Sequence, residues 1–302
     1  MPNAARSGTV RRQPLVNALS VDVEDYFQVQ AFEGCVEPSA WDSYPSRVER
    51  NTDALLQIWD EAGVKATFFT LGWVAERQPA LVRRIVDAGH ELASHGLRHA
   101  RVDRETADSF REDIRRSKAI LEDVGGAAVK GYRAATFSMG ETTTPWAWRV
   151  LEEEGFAYSS SIYPVKRDFY SNADAPRGPY RPVGVDKLVE IPISTVRLGK
   201  RNLPAGGGGY FRFLPYGLSR AAISRVNQAE NAPAVFYIHP WEVDPDQPRP
   251  KGASAKSRFR HYLNLHKTGN RLRRLSRDFA WGRMDEVFAP VLSGATSHDR
   301  AT

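Results

Sequence analysis

Cysteine is nearly absent: Cys35 is the only one in 302 residues. No intrachain disulfide can form, and a lone thiol at no ligand spacing builds no cysteine zinc cage, so Cys35 reads as a small apolar residue. Long apolar runs are missing too. Stretches such as Ala66-Thr-Phe-Phe-Thr-Leu71 fall far short of the roughly 20 residues that a bilayer-spanning helix needs. Met1 to Gln13 carries three arginines but no apolar run, so no secretory signal is expected and the predicted location is cytoplasmic, with peripheral membrane contact left open. Internal repeats are absent. Acidic residues vanish over one stretch, for Arg249 to Arg277 holds ten Lys or Arg and no Asp or Glu. A solvated helical face explains this as well as a surface attracting an anionic glycan, a lipid-linked phosphate carrier or an acidic leaflet. Nucleic acid would need the same charge, but no recognised nucleic-acid motif accompanies it.

What is present is ordinary for a globular chain: 41% hydrophobic and 26% charged residues, with a net charge of +6. That suffices for one large α/β domain or two small ones. Strand-like segments (Val16 to Val23, Lys65 to Leu71, His90 to Ser94, Val129 to Arg133, Phe156 to Ser159, Leu188 to Ile193, Ala234 to His239) alternate with helix-like ones. The helices are predicted over Arg47 to Glu61, Pro79 to Ala88, Arg104 to Val124, Pro145 to Glu154 and Tyr216 to Asn227. Pro79 opens its helix and Gly89 closes it, while Phe110, Ile114 and Leu121 mark one apolar face. Repeated βα units predict parallel strands with helices outside, as an incomplete barrel or an open sheet. In such folds sites gather at the C-terminal strand ends, and Asp22, His95, Arg133, Ser160 and His239 all fall near separate ends. Gly206-Gly-Gly-Gly209 before Tyr210-Phe-Arg-Phe reads as a flexible connector or a loop over a cleft. Arg258 to Phe279 reads as one helical segment, and the tail from Gly294 as disordered.

Three short stretches hold most of the polar chemistry: Asp22-Val-Glu24-Asp25, His95-Gly-Leu-Arg-His99 and Tyr237-Ile-His239-Pro240-Trp241-Glu242. Imidazoles and carboxylates together hold zinc or a similar divalent ion with positions left for water and substrate. The HxxxH spacing alone is weak, and the metalloprotease HExxH pattern fails because Gly96 stands where its glutamate would be. On a strand Asp22 and Glu24 share a face, with Asp25 turned away unless the chain bends. Three crowded carboxylates exceed what helix capping needs, and they repel unless a cation neutralises them. This combination points to metal-assisted hydrolysis.

With these residues in view, the sequence resembles the polysaccharide deacetylases of the NodB-homology type, carbohydrate esterase family four. The resemblance covers about residues 15 to 245. A nearer likeness is to the deacetylases accompanying exosortase and PEP-CTERM exopolysaccharide systems, through Asp22-Val-Glu-Asp-Tyr-Phe27, Gly131-Tyr-Arg133, Gly207-Gly-Gly-Tyr-Phe-Arg212 and His239-Pro-Trp-Glu242, and through a C-terminal extension resembled by Phe259-Arg-His-Tyr-Leu-Asn264 and Arg271-Leu-Arg-Arg-Leu275. The resemblance implies a distorted, incomplete (β/α) barrel of about seven parallel strands. It makes Asp22 the general base, His95 and His99 metal ligands, Arg133 the holder of the base carboxylate and His239 the general acid. It leaves Glu24 and Asp25 as alternatives for the carboxylate ligand, because Val23 occupies the place where a second aspartate commonly stands. The fourth motif, usually Asp-Ser-Ser, reads Ser159-Ser-Ser161. Tyr132, Phe137, Trp241 and Tyr210 are the expected substrate contacts. The implied cofactor is a divalent metal, zinc foremost, with cobalt, nickel or manganese as alternatives; the implied substrate is an N-acetylated glycan, lipid-linked or anionic. Residues 1–14 are expected to be flexible, 15–245 to form the deacetylase domain, 246–290 a basic, partly helical extension, and 291–302 a disordered tail. Two rivals are an allantoinase-like hydrolase of a small amide and a catalytically idle glycan-binding scaffold.

Overall fold

The computed structural model describes residues 15–166 and 172–294; the expected flexible segment at 1–14 and the tail from 295 lie outside them. In chain order the strands are β1 (Val16–Val23), β2 (Thr67–Thr70), β3 (Glu91–Ser94), β4 (Gly131–Tyr132), β5 (Tyr158–Ser159) and β6 (Val189–Glu190), then a hairpin of β7 (Thr195–Leu198) and β8 (Arg201–Pro204), and β9 (Val235–Ile238). The hairpin is antiparallel and separate. The other seven strands are parallel and curl into a half-barrel, with β1 flanked by β2 and β9.

The helices follow the expected βα rhythm: α1 (Val48–Asp60), α2 (Gly72–Arg77), α3 (Pro79–Asp87), α4 (Ala107–Gly125), α5 (Ala147–Glu153), α6 (Gly209–Phe213), α7 (Tyr216–Ala229), α8 (Ala255–Tyr262), α9 (Leu265–Asp278), α10 (Met284–Val287) and α11 (Ala289–Leu292). Their boundaries have local causes. Pro79 sits in the first turn of α3, where its missing N–H costs nothing. Thr106 and Ser109 form a reciprocal capping box on α4, and Gly126 ends it in the left-handed region at φ 64°. Phe110, Ile114 and Leu121 are all buried, as their spacing predicts. No helix among the described residues is long and apolar enough to cross a membrane.

Three expectations need correction. The segment Arg258 to Phe279 is two helices, broken where Asn264 takes φ 54°. The glycine run is no flexible connector: Gly206 O accepts from Tyr237 N at 2.8 Å, Gly208 N donates to Tyr237 O at 3.1 Å, and a Cβ on Gly207 would lie 2.1 Å from that same oxygen. These glycines let the backbone lie flush along the outer edge of β9. The C-terminal extension also contributes to the sheet itself. An eighth strand, β10 (Ala280–Gly282), pairs parallel with β1 over Val16–Ala18, and helical turns continue to Leu292, past the expected boundary at 290.

Candidate metal and catalytic site

The strand register delivers the polar residues to one rim. Asp22 pairs with Phe69, Ser94 with Thr70 and Tyr132, and Val21 with Ile238, so the residues that follow β1, β3, β4 and β9 emerge together. They close the floor of a cavity of about 640 Å³ lined by Asp22, Glu24, His95, His99 and His239, with Phe137, Tyr210 and Trp241 on its walls.

The loop after β3 carries both close-spaced histidines. Gly96 has φ 79°, and a Cβ there would meet Asp113 Oδ2 at 2.9 Å. Asp113 on α4 accepts from Leu97 N at 2.8 Å, and Ser117 Oγ donates to Gly96 O at 2.9 Å. The glutamate of a metalloprotease motif would be strained by that φ and would displace the Asp113 carboxylate from Leu97 N. His99 takes φ 54°, a conformation a non-glycine residue adopts at some cost. One donor atom each from Glu24, His95 and His99 lies within 4.8 Å of the others. His95 Nδ1 is 2.8 Å from Arg133 O, which leaves Nε2 for the cavity. Burial pushes His95 down to about 4, keeping the imidazole in its neutral, ligating form. Burial alone would raise Glu24, but the imidazoles, His99 first, bring it down to about 2. Its Oε2 is buried with no well-directed hydrogen bond although His99 Nε2 is 2.8 Å away. A buried anionic oxygen facing two imidazole nitrogens is the donor set that a divalent cation satisfies.

Asp25 does not join this set. Its Oδ2 accepts from Ser46 Oγ at 2.7 Å, Arg47 N at 2.8 Å and Val48 N at 3.1 Å, so the carboxylate closes the N-terminus of α1 on the far side of the chain. Of the two alternatives only Glu24 faces the histidines. Tyr132 is also placed away from the cavity, packed in the core between Phe110 and Phe156 at ring distances of 5.6 and 5.8 Å. Phe137, Tyr210 and Trp241 do line it.

Arg133 is fully buried. It donates to Asp22 Oδ1 at 2.6 Å, to Ser20 Oγ at 2.9 Å, and to the backbone oxygen and Oγ of Ser160 at 3.0 Å each, with its guanidinium 4.0 Å over the Phe69 ring. Asp22 Oδ2 then lies 3.9 Å from His239 Nε2, and Glu24 Oε1 lies 3.5 Å from it. On its other side His239 Nδ1 is 2.7 Å from Glu242 Oε1. Burial alone would depress His239, yet the Glu242 hydrogen bond and the surrounding carboxylates lift it to about 9. Ser159, where the resemblance would have a carboxylate, instead bonds Ser161 Oγ at 2.8 Å.

The sequence reading missed two residues of this neighbourhood as site residues, Glu242 and Arg212, whose Nε lies 2.6 Å from Glu242 Oε2. Both stand inside the motifs of the resemblance, and Arg212 is the one charge in an otherwise apolar Tyr-Phe-Arg-Phe-Leu run, a signal for a buried, partnered cation. His261, stacked on Trp241 at 4.1 Å, stands in the Phe259-Arg-His-Tyr-Leu-Asn264 stretch of the C-terminal extension and was likewise not expected at the site.

Residues 39–158 match the family model of the polysaccharide deacetylases. Over those residues the chain is similar to a polysaccharide deacetylase domain. The family comprises hydrolases that act on N-acetyl amide bonds. The deacetylase model contains His95, His99 and Arg133, and residues 160–289, which include His239, match a domain of unknown function (DUF3473). Against the peptidoglycan-N-acetylglucosamine deacetylase of Bacillus cereus the chain is 33% identical over 96 residues, 32% of this chain and 35% of that protein. It thus spans about a third of that relative's length. Against the chitooligosaccharide deacetylase of a Bradyrhizobium species it is 28% identical over 190 residues, 63% of this chain and 77% of the relative. A solved structure from Mycobacterium smegmatis, named for a polysaccharide deacetylase, superposes with a TM-score of 0.63 at 21% identity, covering 100% of this chain and 98% of that one, and so shares the fold.

Proposed function

We propose that this protein is a metal-dependent hydrolase that removes N-acetyl groups from amino sugars of a glycan. The observation that carries this reading is the meeting of Glu24, His95 and His99 with Asp22 and His239 at the floor of one cavity. A divalent cation held by Glu24, His95 and His99, zinc by the nitrogen and oxygen donor set, would polarise the acetyl carbonyl and acidify water. Asp22, its Oδ1 fixed by Arg133, turns Oδ2 to the cavity and takes the proton of the attacking water. Water oxygen bonds the carbonyl carbon, the C–N bond breaks, and His239 Nε2 supplies the proton that the departing amine needs, leaving acetate and a free amino sugar. Phe137, Tyr210 and Trp241 give the cavity the aromatic walls on which sugar rings pack. The motif resemblance supports an exopolysaccharide as the glycan.

The test is metal analysis together with acetate release from acetylated chito-oligomers, for the native chain and for His95→Ala. The native chain should bind one metal ion and release acetate, and His95→Ala should lose both. Release of ammonia or urea from small ureides without acetate from any glycan would replace this reading by the small-amide one. A metal-loaded chain inert toward every acetylated glycan would favour an idle binding protein.

A further inference from the structure

His239 reaches the cavity through Nε2, and its other ring nitrogen is gripped by a chain of buried groups that the proposed hydrolysis does not use. Glu242, in the turn after β9, engages two polar atoms of His239 with one oxygen: Oε1 lies 2.7 Å from His239 Nδ1 and 3.1 Å from His239 N. The second oxygen, Oε2, accepts from Arg212 Nε at 2.6 Å. Arg212 is in turn anchored through Nη1, which donates to the carbonyl oxygens of Arg260, His261 and Leu263 at 3.1, 2.7 and 3.0 Å. Those carbonyls belong to the end of α8 and the break before α9. Glu242 and Arg212 are 0% and 3% exposed, so solvent competes for neither.

The ring is also held by one of its faces. Trp241 stacks on His239 at 5.1 Å and 22° and on His261 at 4.1 Å and 15°. Arg212 lies 5.1 Å over Trp241. The glycine run fixed along β9 leads directly into α6 and brings Arg212 to this spot.

We infer that Glu242 and Arg212 are positioning residues for His239, acting as one unit that fixes the ring so that Nε2 addresses the leaving nitrogen. Every member of the unit lies in the segment matched only by a domain of unknown function. That segment thereby acquires a role, orienting the acid for a reaction whose metal ligands come from the other half of the chain. A buried carboxylate with both oxygens engaged cannot swing, and a ring bonded at Nδ1 and stacked on one face has a single orientation. Held this way, His239 enters the reaction already aligned, as supporting shells do at other sites.

This inference rests on the deacetylase reading for its kinetic arm and stands apart from it in its spectroscopic arm. Glu242→Gln, Arg212→Met and the double variant are compared with the native chain for kcat, KM and bound metal. The double variant leaves no lone buried charge and so is the one expected to fold best. Each folded, metal-loaded variant should lose about 100-fold in kcat with KM changed by less than about twofold, and the double variant should lose no more than the worse single, because the two act through one hydrogen-bonded path. A kcat within about threefold of native in a folded, metal-loaded variant, or losses that multiply in the double, would overturn the inference. The second arm needs no variant: nitrogen-labelled native protein should show a low-field proton on His239 Nδ1 that exchanges slowly with water. Its absence overturns the inference even if every variant unfolds. If the native chain releases no acetate, the deacetylase reading falls while this resonance still decides whether the ring is held.

Discussion

Adjacent carboxylates at 24 and 25 face opposite sides of the chain, and different physics explains each. Glu24 is buried against two imidazoles, whereas Asp25 accepts hydrogen bonds from Tyr26, Ser46, Arg47 and Val48. Glu24→Gln should weaken metal binding by more than about 100-fold, since even outer partners of a metal site are worth 10–100-fold. Asp25→Asn should leave metal content unchanged and lower stability by about 1–2 kcal/mol through the lost cap on α1. Metal analysis and urea unfolding of the two variants check both halves, and metal loss in Asp25→Asn would reverse the assignment. The pairing of His95 with His99, and of both with a carboxylate near 22, was legible through the motif resemblance and through the place of each stretch at the end of a predicted parallel strand. The choice between 24 and 25 was not. It depends on where the N-terminus of α1 lies, more than twenty residues on, and on the turn in which Glu24 N donates to Asp22 O at 3.0 Å.

At the scale of elements, α3 and β3 meet at His90, which the sequence offered only as the first residue of a strand. Its ring is 4.9 Å from Phe68 and 6.3 Å from Trp59, and Nδ1 accepts from Ala66 N at 3.0 Å. Burial, then the nearby Lys65 and Arg283 charges, push it down to about 4. A folded value below the ordinary 6.5 means that folding favours the neutral ring. The stabilisation is therefore complete above pH 6.5 and is lost as pH falls toward 4, by about 3 kcal/mol over that window. Other buried groups titrate there too, so the measurement is a difference. The stability of the native chain minus that of His90→Gln should fall by about 3 kcal/mol between pH 7 and pH 4 in urea titrations; a difference that stays flat, or grows on acidification, contradicts the argument. Helices α1, α3, α4, α5 and α7 were readable because caps and apolar periods lie within them. Strand β10 was not, because Ala-Trp-Gly has no period and takes its partner from β1, more than 260 residues away. The break between α8 and α9 was hidden for a similar reason: Asn264 holds a left-handed conformation while its Nδ2 donates to the distant Arg212 O at 2.9 Å.

For the whole molecule, the question is whether residues 15–245 form a unit without the extension. The basic run after 249 is not surface charge alone, for three of its arginines also tie the extension to the rest of the chain. Arg271 Nη1 donates to the carbonyls of Phe211, Arg212 and Leu214, Arg273 meets Glu61 at 3.4 Å, and Arg274 lies 4.5 Å over the Tyr216 ring. The extension also places Leu265, Leu272, Leu275, Trp281, Met284 and Phe288 in the core, all below 8% exposure. At about 2 kcal/mol for each buried side chain their removal costs about 12 kcal/mol, as much as the 5–15 kcal/mol by which a typical domain is stable. Truncation at 245 would also strip β10 from β1 and leave the Arg212 guanidinium buried without its carbonyl partners. A chain ending at residue 245 should therefore show no cooperative unfolding transition and should bind dyes that report exposed apolar surface. A sharp urea transition at a midpoint near that of the full chain would mean that the half-barrel closes its core unaided, and that the extension is an attachment rather than part of the fold.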